Sequence, residues 1–213
     1  MINFQLLFSK FAASMKAGNI EIYNEFSLQH ELGIFLRAEI AGSKVQFERN
    51  VSFFFGTDTH SFTKREIDIV VYSLEKRDLL AAIELKYPRN GQYPEQMFSF
   101  CKDIAFCEEL RRSGFQFAAT VIFADDPLFY QGASSGIYGY FRGQKSLTGA
   151  IKKPTGKQQE QVTLAGQYVV DWRLVSGGLM YTIVEASPAP TPKGTFSAVA
   201  SWLSRARDRP DGA

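Results

Sequence analysis

Glu31, Asp68, Glu84 and Lys86 have the residue types and spacing to do chemistry together. In Ile83-Glu84-Leu85-Lys86, the two-residue period of an extended chain puts Glu84 and Lys86 on one face, with Ile83 and Leu85 on the other. In Ile67-Asp68-Ile69, Asp68 likewise faces away from its apolar neighbours. A short turn separates these runs, so they are expected to pair antiparallel with Asp68 near Glu84. Glu31 follows Leu28 by three residues and precedes Phe35 by four, which predicts a place on the core-facing side of a helix. Carboxylates aimed at one point repel unless a cation joins them. Oxygen ligands with no supporting His or Cys favour Mg2+ or Mn2+ over Zn2+. Such a site suits phosphodiester hydrolysis, in which the ion polarises a phosphate oxygen and acidifies a bound water. Lys86 would orient or help deprotonate that water and offset charge building on phosphorus.

The elements that must hold these residues can be read from periodicity. Phe4, Leu7, Phe8, Phe11 and Met15 predict a first helix ending at Gly18. Ser27 is expected to cap a second helix running to about Ile40, with Leu28, Leu32, Phe35 and Leu36 as its apolar stripe. Val45 to Phe55 reads as a strand, with Val45, Phe47, Val51 and Phe53 inward. Glu66–Ser73 and Leu79–Lys86 follow as strands, turned by Lys76-Arg77-Asp78. Glu95 to Arg112 reads as a long helix, acidic at its start and basic in its last turn, and Phe115 to Ala124 as a buried strand. The order from residue 27 is therefore α-β-β-β-α-β. Further on, Tyr168–Trp172 and Leu179–Glu185 read as strands around a Gly177-Gly178 turn, and Ile151 to Glu160 as a basic loop. Pro188, Pro190 and Pro192 predict a linker before a terminal helix over Phe196–Arg207.

An acidic-x-Lys match is expected about once by chance in a chain with 22 acidic residues, so the motif gains meaning only from this context. With its context, the sequence resembles the PD-(D/E)XK nuclease superfamily, the restriction-endonuclease-like fold. The resemblance spans Ser27 to about Ala124. It implies a mixed α/β fold, a central sheet flanked by helices, with a C-terminal β-rich extension. Asp68 would be the acidic residue of the second strand, Glu84-Leu85-Lys86 the (D/E)-x-K element, Glu31 the helix glutamate, and Gln96 an accessory residue on the following helix. Ile67-Asp68 stands where the family has Pro-Asp. On this reading residues 1–187 form one nuclease-like domain, with its core at about 27–124 and an elaboration at 125–187, and 188–213 form linker and tail.

The implied activity is Mg2+- or Mn2+-dependent hydrolysis of nucleic acid, DNA ahead of RNA, in restriction, repair or defence. Glu31, Asp68 and Glu84 would hold the metal. The alternative is a catalytically inactive module of the same fold that docks DNA or a protein. Lys64, Arg65 and Arg89 flank the motif strands and are the candidate phosphate contacts. Tyr138, Tyr140, Phe141 and Arg142 interleave aromatics with a cation, as base-stacking surfaces do. A homodimer or larger complex is left open.

Composition bounds these readings. The chain has 213 residues, 45% hydrophobic, with 24 Lys+Arg against 22 Asp+Glu and a net charge of +2. That excludes a highly charged disordered protein and a bulk electrostatic nucleic-acid condenser. No run approaches about 18 apolar residues, so no membrane partner is expected. The sequence shows no secretory leader pattern, and the two cysteines, Cys101 and Cys107, are spaced as packed free thiols, so the expected compartment is the cytoplasm. His30-Glu31 lacks the second His of a zincin helix, no complete phosphate loop follows a strand, and no G-x-S-x-G elbow occurs.

Overall fold

A computed structural model describes residues 2–56, 62–75, 78–143, 145–156 and 160–187. Lys76-Arg77, Lys157, the proline linker and the helix expected over Phe196–Arg207 lie outside the described residues.

A six-stranded sheet carries the structure, in the order β1-β2-β3-β4-β8-β7. Its strands are β1 (Ser43–Asn50), β2 (Glu66–Ser73), β3 (Leu79–Lys86), β4 (Phe117–Ala124), β7 (Arg173–Ser176) and β8 (Leu179–Glu185). All neighbours are antiparallel except β3 and β4, which run parallel. A parallel pair needs a crossover, and α4 (Tyr93–Arg112) supplies it. The α-β-β-β-α-β order expected from residue 27 is present as α2 (Glu25–Glu39), β1, β2, β3, α4 and β4, with one short helix interposed.

Alternation along the strands sorts the core into layers. Ile69, Val71, Ala81, Ile83, Leu85, Ala119, Val121 and Phe123 pack with α1 (Phe4–Lys16) and α2 on one face. Val70, Tyr72, Ala82, Ala118 and Ile122 turn to the other face, toward α4. Strands β2, β3 and β4 are therefore apolar on both sides, as strands between helix layers must be. An added Cβ at Gly33 would lie 2.1 Å from Phe47 ring atoms, so glycine there lets β1 close against α2.

Several boundaries differ from the sequence expectation. Asn24, not Ser27, caps α2; Asn24 Oδ1 accepts the Ser27 N–H at 2.7 Å, and the Ser27 hydroxyl accepts the Asn24 N–H at 3.1 Å in return. The strand expected over Val45–Phe55 stops at Asn50, whose side chain accepts the Ser52 N–H; Ser52–Phe55 then forms a short helix, α3. That turn seats Phe54 on both Tyr72 and Phe115, a contact a straight strand would not make. The strand expected at Tyr168–Trp172 is displaced: β6 (Gln161–Tyr168) ends where it was to begin, and β7 starts after it. The region expected as a basic loop begins within β5 (Leu147–Lys152), which pairs with β6 as a separate two-stranded ribbon. After β4 come a 3-10 turn (Pro127–Phe129) and α5 (Tyr138–Phe141).

The β5–β6 ribbon is pinned to α4 by Glu108, which is 4% exposed. Its carboxylate accepts the N–H groups of Ala165 and Gly166 at 2.9 and 2.7 Å and the Tyr168 hydroxyl at 2.7 Å. Removing this acceptor leaves the buried Tyr168 hydroxyl and two part-buried backbone N–H groups without their partner, and an unpaired buried donor carries its full desolvation cost. Glu108→Ala is expected to lower the unfolding free energy by about 2–4 kcal/mol, read by urea denaturation; a loss within measurement error would show that the ribbon is held by its apolar contacts alone.

Candidate functional site

The β2–β3 ladder ends at Ile69–Ile83. Continuing that register, Asp68 and Glu84 are the next residues to stand opposite one another, and there side chains replace ladder bonds. The Asp68 carboxylate accepts the Leu85 N–H at 2.7 Å, and the Asp68 N–H donates to Glu84 Oε1 at 3.4 Å. The strands part at this point, and the carboxylates occupy the gap.

From the α4 side, Asp103 joins them. It is 3% exposed and sits in the helix's otherwise apolar stripe, between Phe100 and Cys107. Lys64, in the approach to β2, directs its ammonium between Glu84 and Asp103, donating to Glu84 Oε2 and to Asp103 Oδ1, the latter at 2.8 Å. Lys86 lies 3.3 Å from Asp103 Oδ2, donates to the Leu85 carbonyl at 2.8 Å and stands 3.7 Å from Glu25 of α2. Asp68, Glu84 and Asp103 thus surround two ammoniums, leaving the cluster one negative charge in excess if every carboxyl is ionised.

The electrostatics follow from that arrangement. Burial pushes the Asp68 carboxyl up to about 6, against the pull of the Leu85 N–H and of the two lysines. Glu84, fully buried, is raised well above the carboxylate range by burial and then by the charges of Asp68 and Asp103. Burial would lower Lys64, but the charges of Glu84 and Asp103 outweigh it and hold the ammonium protonated. Lys86 is likewise raised against the cost of burial, chiefly by Asp103 and then Glu25.

Two clefts open on the cluster. On the α4 side a cavity of about 400 Å³ is lined by Lys64, Lys86, Lys102, Asp103, Thr63 and Gln161 among others. Asp68 faces a smaller one, about 170 Å³, with Glu25, Gln29 and Glu48.

The structure therefore brings Asp68, Glu84 and Lys86 together as the spacing implied, and does not bring Glu31 to them. Glu31 faces His30 at 3.7 Å on its own helix. The α2 residues that reach the β2–β3 opening are Glu25, which accepts the Tyr87 N–H at 3.1 Å, and Gln29, which donates to the Asp68 carbonyl at 2.9 Å. Two residues beyond Gln29, Glu31 points about 160° away around the helix axis. Among the described residues, no three Asp, Glu, His or Cys side chains gather as a ready-made metal-binding group. Gln96 lies two turns before Asp103 on α4 and donates to Asn90 at 2.9 Å. Arg89 is paired with Asp125 and bonded to the Tyr87 hydroxyl at 3.1 Å, and Arg65 is exposed at the head of β2. The aromatic segment packs inward: Phe141 is buried against Phe100, and Tyr138 lies under the Arg142 guanidinium. Cys101 and Cys107 are buried free thiols, as expected.

Asp103 and the inward turn of Lys64 were missed by sequence reasoning. An acidic residue on the apolar stripe of α4 was the readable signal for Asp103; nothing local marks Lys64, whose role depends on a helix 39 residues away.

Compared with known proteins, this chain matches no family model, no curated protein and no solved structure. No helix among the described residues is long and apolar enough to cross a membrane.

The raised Asp68 value carries a pH dependence. Its folded value of about 6 exceeds the ordinary 3.8, so the native state binds this proton more tightly than the unfolded chain. The stability this supplies is complete below about pH 4 and is lost as pH rises through about 6. Urea unfolding between pH 4 and 7, without divalent cations, is expected to show a smaller decline for Asp68→Asn than for the wild type; parallel profiles would refute the raised value.

Proposed function

We propose that this chain is a metal-dependent nuclease of the PD-(D/E)XK type, hydrolysing phosphodiester bonds of nucleic acid, DNA ahead of RNA. The observation that carries the reading is the meeting of Asp68, Glu84 and Lys86 where the β2–β3 ladder ends, beside a cavity lined by Lys64, Lys86 and Lys102. The donor chemistry suits a hard divalent cation: Asp68 and Glu84 are oxygen donors side by side, burial raises both carboxyls and the Asp68 charge raises Glu84 further, a cost that a bound cation would relieve. Asp68 and Glu84 would hold the Mg2+ or Mn2+ ion, which when bound supplies a polarised phosphate oxygen and an acidified water.

The chain's own residues contribute the rest. Lys86, kept protonated by Asp103 and Glu25, presents fixed positive charge to the cavity and can stabilise charge developing on a phosphate there. Asp103 holds Lys86 and Lys64 in place from the opposite wall. Lys102 adds a cation at the rim, half exposed and paired with Glu160. A net charge of +2 gives little long-range attraction, so affinity for a polyanion rests on these local cations. Restriction, repair or defence are the settings such an activity would serve, in the cytoplasm.

The inactive docking module remains a second reading because Lys64 already pairs with Glu84 and Asp103 without a metal. Incubating the full chain with plasmid and linear DNA separates the two. Cleavage is expected with Mg2+ or Mn2+ and not with EDTA, and Glu84→Gln and Lys86→Met are each expected to slow it about a hundredfold or more. DNA retention without cleavage under any divalent cation would favour the module; variants cutting at the wild-type rate would overturn the site.

A further inference from the structure

Lys64 occupies the position that a cation bound to Glu84 would contest. Its ammonium donates to Glu84 and, at 2.8 Å, to Asp103, and these carboxylates are 0% and 3% exposed. Both are shut away from water; Lys64 supplies compensating charge to both, and Lys86 stands 3.3 Å from the other Asp103 oxygen. The ammonium itself is not sealed in: the Lys64 side chain is 34% exposed and lines the cavity of about 400 Å³ that Lys86 and Lys102 also line. On one side of it is a buried carboxylate pair and on the other an open cavity that two further lysines and Asp103 also line.

We propose that Lys64 is a built-in counter-ion that competes with the divalent cation for Glu84 and swings into the cavity when the cation binds. This rests on the nuclease reading and adds a regulatory step to it. In the metal-free state the ammonium lets the buried carboxylates stay together, where unpaired burial of either would be costly. A divalent ion held by Asp68 and Glu84 brings more charge to the Glu84 carboxylate than the ammonium does and takes its place there, while Asp103 keeps Lys86 as a counter-ion. The displaced Lys64 stays protonated and joins Lys86 and Lys102 around the space where a phosphate diester would lie. Cation binding would then convert the cavity from partly self-neutralised to anion-attracting, coupling metal affinity to polyanion affinity through one side chain.

The exchange makes wild-type metal binding weaker than the oxygens alone would permit. Calorimetric titration of the full chain with Mn2+, in the absence of nucleic acid, should find Lys64→Met binding the ion about tenfold more tightly than wild type. Without metal, Lys64→Met should unfold at lower temperature than wild type, and saturating Mn2+ should raise its midpoint by more. If the wild type binds Mn2+ and Lys64→Met binds it with equal or weaker affinity, the competition is refuted while the metal-dependent reading stands. If neither binds Mn2+, the metal reading fails and the exchange with it. Should Lys64→Met not fold, wild-type protein carrying 13Cε-labelled lysine decides the matter. The Lys64 resonance should shift on saturation with Mg2+, and an unmoved resonance at saturation overturns the proposal.

Discussion

Asp68, Glu84 and Asp103 gather with Lys64 and Lys86 where β2 and β3 part, and much of the structure can be read as what is needed to keep them there. Ionised groups leave water only when partners replace most of the lost hydration. Here the partners come from four segments: Asp68 from β2, Glu84 and Lys86 from β3, Asp103 from α4 and Lys64 from the approach to β2. The cluster cannot form until the β2–β3 pair and the crossover helix are both in place. It is therefore a property of the assembled core rather than of any segment.

Helix α4 is the element that makes this possible. As the crossover between β3 and the parallel strand β4 it must lie across the sheet, and its buried face carries Phe100, Cys101, Ile104 and Cys107. Two acidic residues interrupt that apolar surface, and each answers a specific demand. Asp103 meets the two lysines of the cluster, while Glu108, five residues on, accepts from the backbone of β6 and from Tyr168. One helix thus ties the charged site to the peripheral ribbon. The same ribbon contributes Gln161 and Val162 to the wall of the larger cavity.

The parting of β2 from β3 has a local cause with a wide effect. Once Asp68 accepts the Leu85 N–H, the ladder cannot continue in register, and the freed space admits side chains from both helix layers. Gln29 and Glu25 enter from α2, and Lys64 and Asp103 from the α4 side. Charge is sorted across this gap: Lys64, Lys86 and Lys102 gather with Asp103 on one side, while Glu25, Glu48 and Asp68 line the other cleft.

By itself the sequence determined the features that depend on short-range periodicity. The bounds of β2, β3 and β8 were legible because alternating or continuous apolar runs ended at clear breaks, and the spacing of Glu84 and Lys86 put them on one face. Asp68 opposite Glu84 followed from a hairpin whose register the apolar residues dictate. Tertiary structure alone decided which helix residues would meet them. Glu31 and Glu25 are both acidic positions on α2, and the rotation of that helix against the sheet chose Glu25. The pairing of Lys64 with a buried aspartate on α4 was equally invisible, since a lysine in a polar segment carries no mark of the partner it will meet. Periodicity is a local signal, whereas the convergence of charges depends on how separate elements pack, and that packing supplies the desolvation and the counter-charges that make the cluster chemically distinct.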